Sequence, residues 1–350
     1  MKAYVTTHCV WTSYGSVLQA LGLKKALLRL GCESELLTDS PQPEYRLSFP
    51  KSAKDFYYFP KYFIRHRAFS DACRKGKAFI EKNLSVRCFP GYKALCEAYP
   101  HADVYIAGSD QIWLPSAASP LFLLDFVKRE GERKVSYAAS FGADAIPADK
   151  QKMFADSLAD FAYISVREQK GRELLRGITD KEVGVHIDPT FLVSAEEWRT
   201  YEQPYPLKQP YILLYTIYRD DSLNHQLRQL SRRTGLPVYA VKPAPSKAYA
   251  TKSLYDVGPA EFLWLIDHAA YVVTSSFHGA AFAAAFNKQL SLVINPKAPS
   301  RLDELRQRLG LPLIGVDALD SAPPIDYASV NQQTEQARAQ ALAYLKRVLQ

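Results

Sequence analysis

Cysteine is scarce in this sequence, and the few cysteines present form no recognisable pattern. The 350 residues include five cysteines, an odd number, all in the first third of the chain and without a Cys-x-x-Cys pair. This argues against a disulfide framework and a structural zinc site, and it favours a reducing compartment. The opening MKAYVTTHCVW has one lysine and too short an apolar run for a signal peptide. We therefore expect a cytoplasmic protein.

Motifs that indicate nucleotide binding or hydrolase chemistry are also missing. There is no Gly-x-x-x-x-Gly-Lys-Ser/Thr loop, no Gly-x-Gly-x-x-Gly after a strand and no Gly-x-Ser-x-Gly elbow. No group of His, Asp and Glu has the spacing of a metal site. We therefore predict no metal and no cofactor.

Acidic residues are outnumbered, since 44 Lys and Arg against 36 Asp and Glu give a net charge of +8. Such an excess attracts polyanions, anionic lipids or phosphorylated small molecules, without deciding between them. No block of Lys and Arg resembles a nucleic-acid-binding arm, so we expect no nucleic-acid partner.

Short apolar segments alternate with longer helical patterns along the chain. The predicted strands cover 3–7, 104–108, 134–139, 162–166, 183–187, 211–217, 238–242, 271–275 and 290–294. The predicted helices between them cover 15–31, 148–161, 222–235, 259–269 and 300–310. Near-continuous apolar strands separated by helices are typical of parallel, doubly wound α/β sheets.

A segment rich in proline and charge, residues 188–210, separates two such α/β regions. We predict two Rossmann-like domains, over 1–190 and 205–325. An amphipathic helix over 328–350 then follows and is expected to cross back to the first domain. Ligands of these sheets bind beyond the carboxyl ends of the strands, so the cleft between the domains is the expected site.

Residues 54–69, KDFYYFPKYFIRHRAF, combine basic and aromatic side chains within the N-terminal domain. One interpretation is a helix with its aromatic residues in the core and its charges solvated. The other is a platform for sugar rings or lipid headgroups, because aromatic faces stack on sugars and Lys and Arg bind phosphates. The sequence leaves both interpretations open.

An uncharged stretch, residues 269–286, is just long enough to raise the question of a membrane span. Serines and a histidine interrupt it, and the alternation of strands and helices continues on both sides. We interpret it as a buried strand, a turn containing His278 and a packed helix that starts at about Gly279. The start of such a helix presents free backbone N–H groups, which bind anions.

Four predicted strands end in polar residues, and three of these residues are candidates for chemistry. His278 is either a core histidine bonded to a backbone carbonyl or a group that moves protons near neutral pH. Arg167 is either a surface ion pair or a bidentate ligand of a carboxylate or phosphate. Asp110 either forms an Asx turn or helix cap, or acts directly in acceptor binding or acid–base chemistry. Asp188, before a proline, is expected to shape the turn between the domains.

Six motifs occur in the order and spacing of the polysaccharide pyruvyl transferases, a family that the chain resembles over residues 1–310. They are SYGSVLQALGLKKAL (13–27), DVYIAGSDQIW (103–113), KVSYAASFG (134–142), ISVRE (164–168), DPTFLVSAEEW (188–198) and YVVTSSFHGAAFAAAF (271–286). The resemblance implies a fold similar to that of GT-B glycosyltransferases. It also implies transfer of pyruvate from phosphoenolpyruvate, as co-substrate, onto two hydroxyls of a sugar. The product would be a cyclic ketal in a bacterial-type cell-surface polysaccharide, such as a capsule or exopolysaccharide.

The resemblance also implies where the donor binds. In the family, the arginine of the Ser-x-Arg segment and a basic-Leu-His tripeptide contact phosphoenolpyruvate. Arg167 corresponds to the arginine, and Ser276, Phe277 and His278 correspond to the tripeptide.

Ser276 is a departure from the family, because it replaces a basic residue in the donor site. Another cation is therefore needed, and Arg301 and Lys242 are the two candidates. Gly279, at the predicted helix start, adds backbone N–H groups to the same site.

His278 is the expected acid that protonates the methylene of the donor, with Asp110 as the base or a ligand for an acceptor hydroxyl. The first two motifs are expected to line the acceptor side of the cleft. Their candidate residues are Ser13, Tyr14, Gly15, Ser109 and Gln111. Ser13 also departs from the family, which often has Asn there.

Two other functions stay open. One is a nucleotide-sugar-dependent GT-B glycosyltransferase. The other is a non-catalytic partner in polysaccharide assembly, which the loss of a basic residue at Ser276 leaves open. The acceptor is either free or lipid-linked. The basic charge and the segment 54–69 favour a lipid-linked acceptor, with peripheral association at the inner face of the membrane.

Overall fold

Two parallel sheets with helices between their strands make up the protein, which confirms the predicted doubly wound α/β fold. The structure is a computed structural model. It describes residues 1–40, 53–129, 131–216, 221–241, 249–294 and 300–350, without the side chains of 53–66, 221 and 300. Within these ranges no helix has both the length and the apolar character needed to cross a membrane.

The first sheet has seven parallel strands. They are β1 (Lys2–Thr6), β2 (Glu33–Thr38), β3 (Val86–Cys88), β4 (Val104–Ala107), β5 (Arg133–Ser136), β6 (Phe161–Val166) and β7 (Val183–Val185). Their order is β3-β2-β1-β4-β5-β6-β7, so the direction of strand succession reverses between β1 and β4. Ligands of doubly wound sheets bind at this reversal, beyond the carboxyl ends of the strands.

The second sheet has five parallel strands with an equivalent topology. They are β8 (Ile212–Tyr215), β9 (Val238–Val241), β10 (Lys252–Leu254), β11 (Tyr271–Thr274) and β12 (Gln289–Leu292). Their order, β10-β9-β8-β11-β12, places the reversal between β8 and β11. The residues that follow β11 are therefore at the ligand-binding position of this sheet.

Eleven α-helices are described, several of them between successive parallel strands. They are α1 (Tyr14–Arg29), α2 (Ala53–Asn83), α3 (Tyr92–Ala98), α4 (Ala148–Leu158), α5 (Gln169–Leu175), α6 (Ala195–Arg199), α7 (Asp221–Thr234), α8 (Pro259–Asp267), α9 (Phe277–Ala285), α10 (Ser300–Leu309) and α11 (Tyr327–Leu349). Helix α2 contains the segment 54–69, whose side chains lie outside the described residues up to residue 66. Both interpretations of that segment therefore stay predictions.

Every strand and helix that the sequence predicts is present, with ends that differ by a few residues. Strands β2, β3 and β10 are the ones that the sequence pattern does not predict. These strands are short or only partly buried: β3 has no buried residue, and β10 has only Leu254. Because little of their surface is buried, their sequences lack the continuous apolar run that marks the central strands.

A continuous hydrophobic core joins the helices of the two sheets. The ring of Tyr14 in α1 stacks on that of Phe262 in α8, with centroids 4.7 Å apart. On the same core, Trp198 packs edge-on against Phe282 of α9 at 5.2 Å. Burying an aromatic side chain of this size contributes about 1.5–3 kcal/mol. Packed apolar side chains of these helices therefore hold the two halves of the chain together.

Helix α11 follows the second sheet in sequence but packs against the first. The Tyr344 hydroxyl donates a hydrogen bond of 2.8 Å to the carbonyl of Ser136, at the end of β5. Arg133, at the start of β5, donates to the carbonyl of Val348 at 2.9 Å. The predicted domain limits, 1–190 and 205–325, themselves stay predictions.

Candidate active site

Residues that follow four different strands meet at one buried carboxylate, that of Asp188. Its Oδ2 accepts hydrogen bonds from Ser109 Oγ at 3.0 Å and from Arg167 Nη1 at 2.9 Å. Nε2 of His278 lies 3.7 Å from the same oxygen, longer than a hydrogen bond. Ser109 follows β4, Arg167 follows β6, Asp188 lies beyond β7 and His278 follows β11. The carboxyl ends of both sheets thus contribute to one cluster.

Asp188 is the centre of this cluster, and its environment keeps it charged. It is fully buried, and its Oδ1 accepts the backbone N–H of Thr190 at 3.0 Å, which caps the short 3₁₀ helix Pro189–Leu192. Burial alone would raise the pKa of Asp188. The interactions with His278 and with the charge of Arg167 outweigh burial and hold this pKa well below its ordinary value. The prediction of a turn-shaping role for Asp188 is therefore incomplete, because it accounts only for the Oδ1 contact.

Arg167 is a buried residue with two carboxylate partners, not a surface ion pair. Its Nε donates to Glu168 Oε1 at 2.8 Å, while its Nη1 bonds Asp188. Its guanidinium carbon lies 3.9 Å from the centre of the Phe277 ring, a cation–π contact between the two sheets. Nη2 is buried and has no hydrogen-bond partner among the described residues. Because an unpaired buried donor is costly, Nη2 indicates the place of an anionic ligand.

A cavity of about 430 Å³ lies beside this guanidinium. The charged and aromatic residues of its lining include Arg167, Asp188, Phe277, Arg301, Glu304 and Arg308. Burial lowers the pKa of Arg301, and the charge of Arg167 lowers it further. Two guanidinium groups close enough to repel each other favour an anion between them. The cavity therefore has the charge expected of a site for a phosphate or carboxylate.

Helix α10 closes the cavity by joining the second half of the chain to the first. Glu304 accepts the backbone N–H groups of Gln169 at 2.6 Å and of Lys170 at 3.2 Å, at the start of α5. Arg308 donates to the carbonyl of Val185 at 3.3 Å. These contacts fix α10, and with it Arg301, over the carboxyl ends of β6 and β7.

His278 lies in the first turn of α9, with its imidazole packed directly against Gly15. A Cβ atom at Gly15 would lie 2.3 Å from both Cγ and Nδ1 of His278. Nε2 is buried and makes no hydrogen bond to any described residue. The structure thus places Gly15 as the residue that permits His278 to approach α1, and it leaves Nε2 available beside Asp188.

We expect Gly15→Ala to lower turnover by at least about tenfold, because the new methyl group displaces the imidazole from its position beside Asp188. Misplacing a catalytic group by about 1 Å is enough to lower the rate by this factor or more. Steady-state kinetics checks this. Gly31→Ala is the control for a loss of stability alone, because its φ of 76° strains an alanine while a Cβ atom there meets nothing within 4 Å. Unchanged kcat in Gly15→Ala would contradict the placement of His278.

Ser276 and Gly279 are used within α9. The helix begins at Phe277, two residues before the predicted start, because Ser276 is its N-cap and accepts the Gly279 N–H at 3.4 Å. A Cβ atom at Gly279 would lie 2.4 Å from Thr274 Oγ1 and 2.9 Å from the Tyr215 ring. Protein side chains therefore occupy the space beside the Gly279 Cα, and its part in donor binding stays a prediction.

The predicted acceptor residues are dispersed. Ser13 is exposed, whereas Tyr14 is buried in the core between α1 and α8. Ser109 is fully buried and bonded to Asp188. Gln111 packs over Gly142, where a Cβ atom would lie 1.8 Å from its Nε2.

Asp110 has a left-handed backbone, with φ of 74°, and its Oδ1 accepts the N–H of Gln111 at 2.9 Å. Its negative charge acts on both Arg167 and Arg301 and favours the charged form of each, although burial lowers the pKa of Arg301 overall. Asp110 therefore combines the predicted local turn with a place near the arginines. Lys242, the other candidate for the missing cation, lies outside the described residues.

Glu168 and Arg308 are site residues that the sequence does not identify. Glu168 follows Arg167 directly, and its Oε1 also accepts the Ser140 hydroxyl at 2.8 Å. Arg308 belongs to an amphipathic helix with other basic residues, so nothing in the sequence distinguishes it. Glu168 could have been selected as a polar residue directly after a predicted strand. Arg308 is revealed only by the packing of α10.

Within the described ranges, one group of side chains has ligand atoms close enough for a metal ion. These atoms, of Glu202, Asp267 and His268, lie within 4.8 Å of one another. The sequence shows no metal-ligand spacing for this group, because 65 residues separate Glu202 from Asp267. Arg199 already donates hydrogen bonds of 2.8 and 3.2 Å to Asp267, so an arginine supplies the cation there.

Replacing Glu202 by Gln is expected to stabilise the protein at alkaline pH. Burial, and next the charge of Asp267, raise the pKa of Glu202 to about 7. The stability that the neutral carboxyl contributes is fully present below its unfolded pKa of about 4.3 and is lost as pH rises through 7. Glutamine stays neutral, so Tm at pH 8 should rise by roughly 2 °C. The gain should vanish near pH 4; an equal gain at both pH values would contradict this assignment.

Solved structures similar to this chain have the same two-sheet architecture. AviGT4, a glycosyltransferase involved in avilamycin A biosynthesis, has 12% identity and a TM-score of 0.55, covering 99% of this chain and 97% of that chain. A putative UDP-N-acetylglucosamine 2-epimerase from Listeria monocytogenes has 10% identity and a TM-score of 0.55, covering 97% and 90%. The S. aureus MnaA–UDP co-structure has 13% identity and a TM-score of 0.53, covering 100% and 97%. At these identities the similarity shows the fold alone, which is that of GT-B glycosyltransferases.

Comparison with curated protein sequences found no match. The model of the polysaccharide pyruvyl transferases matches residues 14–295, which include Arg167, Asp188 and His278. The chain belongs to the polysaccharide pyruvyl transferase family.

Proposed function

We propose that this protein transfers pyruvate from phosphoenolpyruvate onto two hydroxyls of a sugar and releases inorganic phosphate. One observation carries the proposal: the unpaired Nη2 of Arg167 adjoins a cavity that Arg301 also lines, with His278 Nε2 near the shared carboxylate of Asp188. The site thus offers separate cations for two anionic groups and a titratable nitrogen nearby. Phosphoenolpyruvate has one carboxylate, one phosphate and a methylene that must accept a proton.

The donor is proposed to bind with one anionic group on Arg167 and the other on Arg301. Guanidinium groups bind carboxylates and phosphates through paired, charge-assisted hydrogen bonds. Arg301 makes no hydrogen bond or ion pair that the described part of the chain records. It is therefore our choice for the cation that compensates for Ser276, and Arg308 on the same helix is a second source of charge.

The reaction begins when His278 donates a proton to the donor methylene. The C=C electrons form the new C–H bond and leave an oxocarbenium-like centre at the adjacent carbon. An acceptor hydroxyl adds to that carbon and loses its proton. Phosphate then departs with the C–O bonding electrons, and the second hydroxyl adds and loses its proton to close the ketal.

The charged groups at the site have distinct roles in this scheme. Asp188 stays ionised, so it can hold the imidazolium of His278 while the proton moves. Asp110, which faces the arginines, is the proposed base for an acceptor hydroxyl. The guanidinium groups stabilise the departing phosphate.

Phosphoenolpyruvate-dependent phosphate release, measured across a panel of glycosides with mass spectrometry of the products, tests the proposal. A product that carries a pyruvate ketal is the expected result. Turnover of a nucleotide sugar in place of phosphoenolpyruvate would overturn it in favour of glycosyl transfer. Donor binding without phosphate release on any glycoside would favour a non-catalytic partner.

The acceptor is proposed to be a saccharide of a cell-surface polysaccharide, either free or linked to a lipid carrier. A lipid-linked acceptor and association with the inner face of the membrane depend on the segment 54–69. Comparing turnover of a free and a lipid-linked form of the same saccharide distinguishes these forms.

A further inference from the structure

Glu168 is a buried carboxylate of the site that takes no part in the proposed proton transfers. Its side chain is 6% exposed. Its Oε1 accepts both Arg167 Nε and the Ser140 hydroxyl, each at 2.8 Å. A buried carboxylate needs such partners, because its removal from water is costly. The two contacts fix Glu168 beside the guanidinium that is proposed to bind the donor.

The backbone position of Glu168 suits a second role, which its side chain does not take. Glu168 is the N-cap residue of α5, but within the described chain its side chain makes no capping hydrogen bond. Glu304 of α10 accepts the first backbone N–H groups of this helix instead, those of Gln169 and Lys170. The carboxylate of Glu168 therefore serves Arg167 and not the helix that follows it.

Arg167, Glu168 and Asp188 form a buried group of one cation and two carboxylates. Arg167 binds Glu168 through Nε at 2.8 Å and Asp188 through Nη1 at 2.9 Å, and none of the three side chains is more than 6% exposed. With both carboxylates ionised, the group has one excess negative charge. Because a buried charge without a counterion is unfavourable, the group favours one further positive charge close by.

His278 is the residue placed to carry that positive charge. Its Nε2 lies 3.7 Å from Asp188 Oδ2 and has no hydrogen-bond partner in the described part of the chain. Asp188 also pairs with Arg167, so its charge is shared between two cations when the imidazole is protonated. Glu168 supplies the second carboxylate that Arg167 needs, which leaves more of the charge of Asp188 for the imidazolium.

Other titratable groups at the site are neutral or oppose one another. Tyr14 of α1 and Tyr215 of β8 stay neutral, because burial raises the pKa of both hydroxyls. Helix α1 also places Gly15, which has no charge, against the imidazole. Two further pairs of charged groups have opposite signs and interact within the pair: Asp110 with Arg301, and Glu304 with Arg308. The balance among Arg167, Glu168 and Asp188 therefore decides how firmly the proton is held.

We propose that Glu168 is a positioning residue, which neutralises Arg167 and so leaves the charge of Asp188 to hold the proton on His278 until the donor methylene takes it. The proposal deepens the proposed function and rests on it for the reaction. Its sign is definite. Without the charge of Glu168, Asp188 pairs more fully with Arg167, and His278 loses its proton at lower pH.

NMR of the imidazole signals across a pH series tests the proposal in the full-length protein without any substrate. His278→Gln identifies the signal of His278 by its absence. In Glu168→Gln that signal should titrate about one pH unit lower than in the wild type, as for the loss of a nearby buried charge. The glutamine oxygen still accepts from Ser140 and Arg167, so the fold is expected to survive.

Two variants serve as controls for charge and for burial. Glu168→Asp retains the negative charge, so His278 should titrate close to its position in the wild type. Glu132→Gln removes another glutamate that is 6% exposed, whose partners include His101 and Tyr105. It should leave the titration of His278 unchanged.

Steady-state kinetics gives a second readout that a purely structural role would not produce. One pH unit is a tenfold change in the protonated fraction, so kcat of Glu168→Gln should fall about tenfold on the alkaline side of the pH profile. On the acid side it should stay near the wild-type value. KM for phosphoenolpyruvate should not rise, because Arg167 keeps its charge and its Nη2.

An unchanged titration of His278 in Glu168→Gln would overturn the proposal, and so would a loss of kcat that is equal at every pH. An equal lowering in Glu168→Asp would assign the effect to contacts instead of charge. A Glu168→Gln protein that does not fold would also contradict the proposal, since it would give Glu168 a structural role. Failure of the proposed function is a different result: the wild type then releases no phosphate from phosphoenolpyruvate on any glycoside, while the NMR titrations still report on Glu168.

Discussion

Replacing His278 by alanine is expected to lower kcat for ketal formation by about 10²–10⁴-fold, the usual contribution of a general acid. The neighbouring hydroxyls cannot substitute, because they are engaged elsewhere. Ser276 caps α9, and Ser109 donates to the buried carboxylate. Without the imidazole, protonation of the donor methylene depends on water, in a site that is largely buried.

The fold should survive this substitution. Asp188 keeps its hydrogen bonds from Arg167, from Ser109 and from the backbone of Thr190, so no buried charge is left unpaired. Thermal unfolding and circular dichroism of His278→Ala should therefore stay close to those of the wild type. Loss of activity with a retained Tm would identify a chemical role.

His278→Gln and His101→Ala complete the experiment. Glutamine retains the polarity and much of the size of histidine but cannot carry the proton, so it should be as inactive as alanine. His101 is an exposed histidine that contacts Glu132, and its loss should leave kcat unchanged. Near-normal kcat in His278→Ala would overturn the assignment of the proton donor.

The strand-end rule explains why much of the site could be predicted from sequence. Parallel strands bring their carboxyl ends to the same edge, so polar residues after strands converge whatever their separation in the chain. The rule selected Asp110, Arg167 and His278, and the structure brings Arg167 and His278 to the same carboxylate, with Asp110 near the arginines.

Asp188 shows where sequence reasoning stops. An aspartate before proline is a common turn or cap signal, and its Oδ1 does cap the helix after it. Its partners Ser109 and His278 are about 80 and 90 residues away, so no local pattern indicates that they meet. Burial of a carboxylate among residues from three other strands is a property of the assembled sheets.

In two other places the structure differs from the prediction for a reason that could have been read from the sequence. Serine is a preferred N-cap, so Ser276 predicts the start of α9 better than Gly279 does. Tyr14 belongs to a motif that suggested ligand binding, but large aromatic residues contribute most when buried, and its ring stacks on Phe262. A motif thus combines residues that contact substrate with residues that hold the two halves together.

Replacing Arg167 by lysine is expected to raise KM for phosphoenolpyruvate by at least about tenfold, with KM for the sugar changed by less than about twofold. The guanidinium uses two of its nitrogens to hold Glu168 and Asp188 and leaves Nη2 for the donor. A lysine ammonium keeps the charge near the carboxylates but lacks the fork that reaches a third group. Loss of a charge-assisted hydrogen bond costs about 1.5–3 kcal/mol, which is at least a tenfold change.

Arg167→Ala removes the charge as well, and here stability and donor binding fall together. It leaves two buried carboxylates without their main cation, which costs about 3–5 kcal/mol of folding free energy. Arg301→Ala is the matched variant for the donor site, because it breaks no ion pair of the described residues. It should raise donor KM at least about tenfold with little change in Tm. If donor KM is unchanged in both Arg167→Lys and Arg301→Ala, the two arginines serve the fold alone, and phosphoenolpyruvate binds elsewhere.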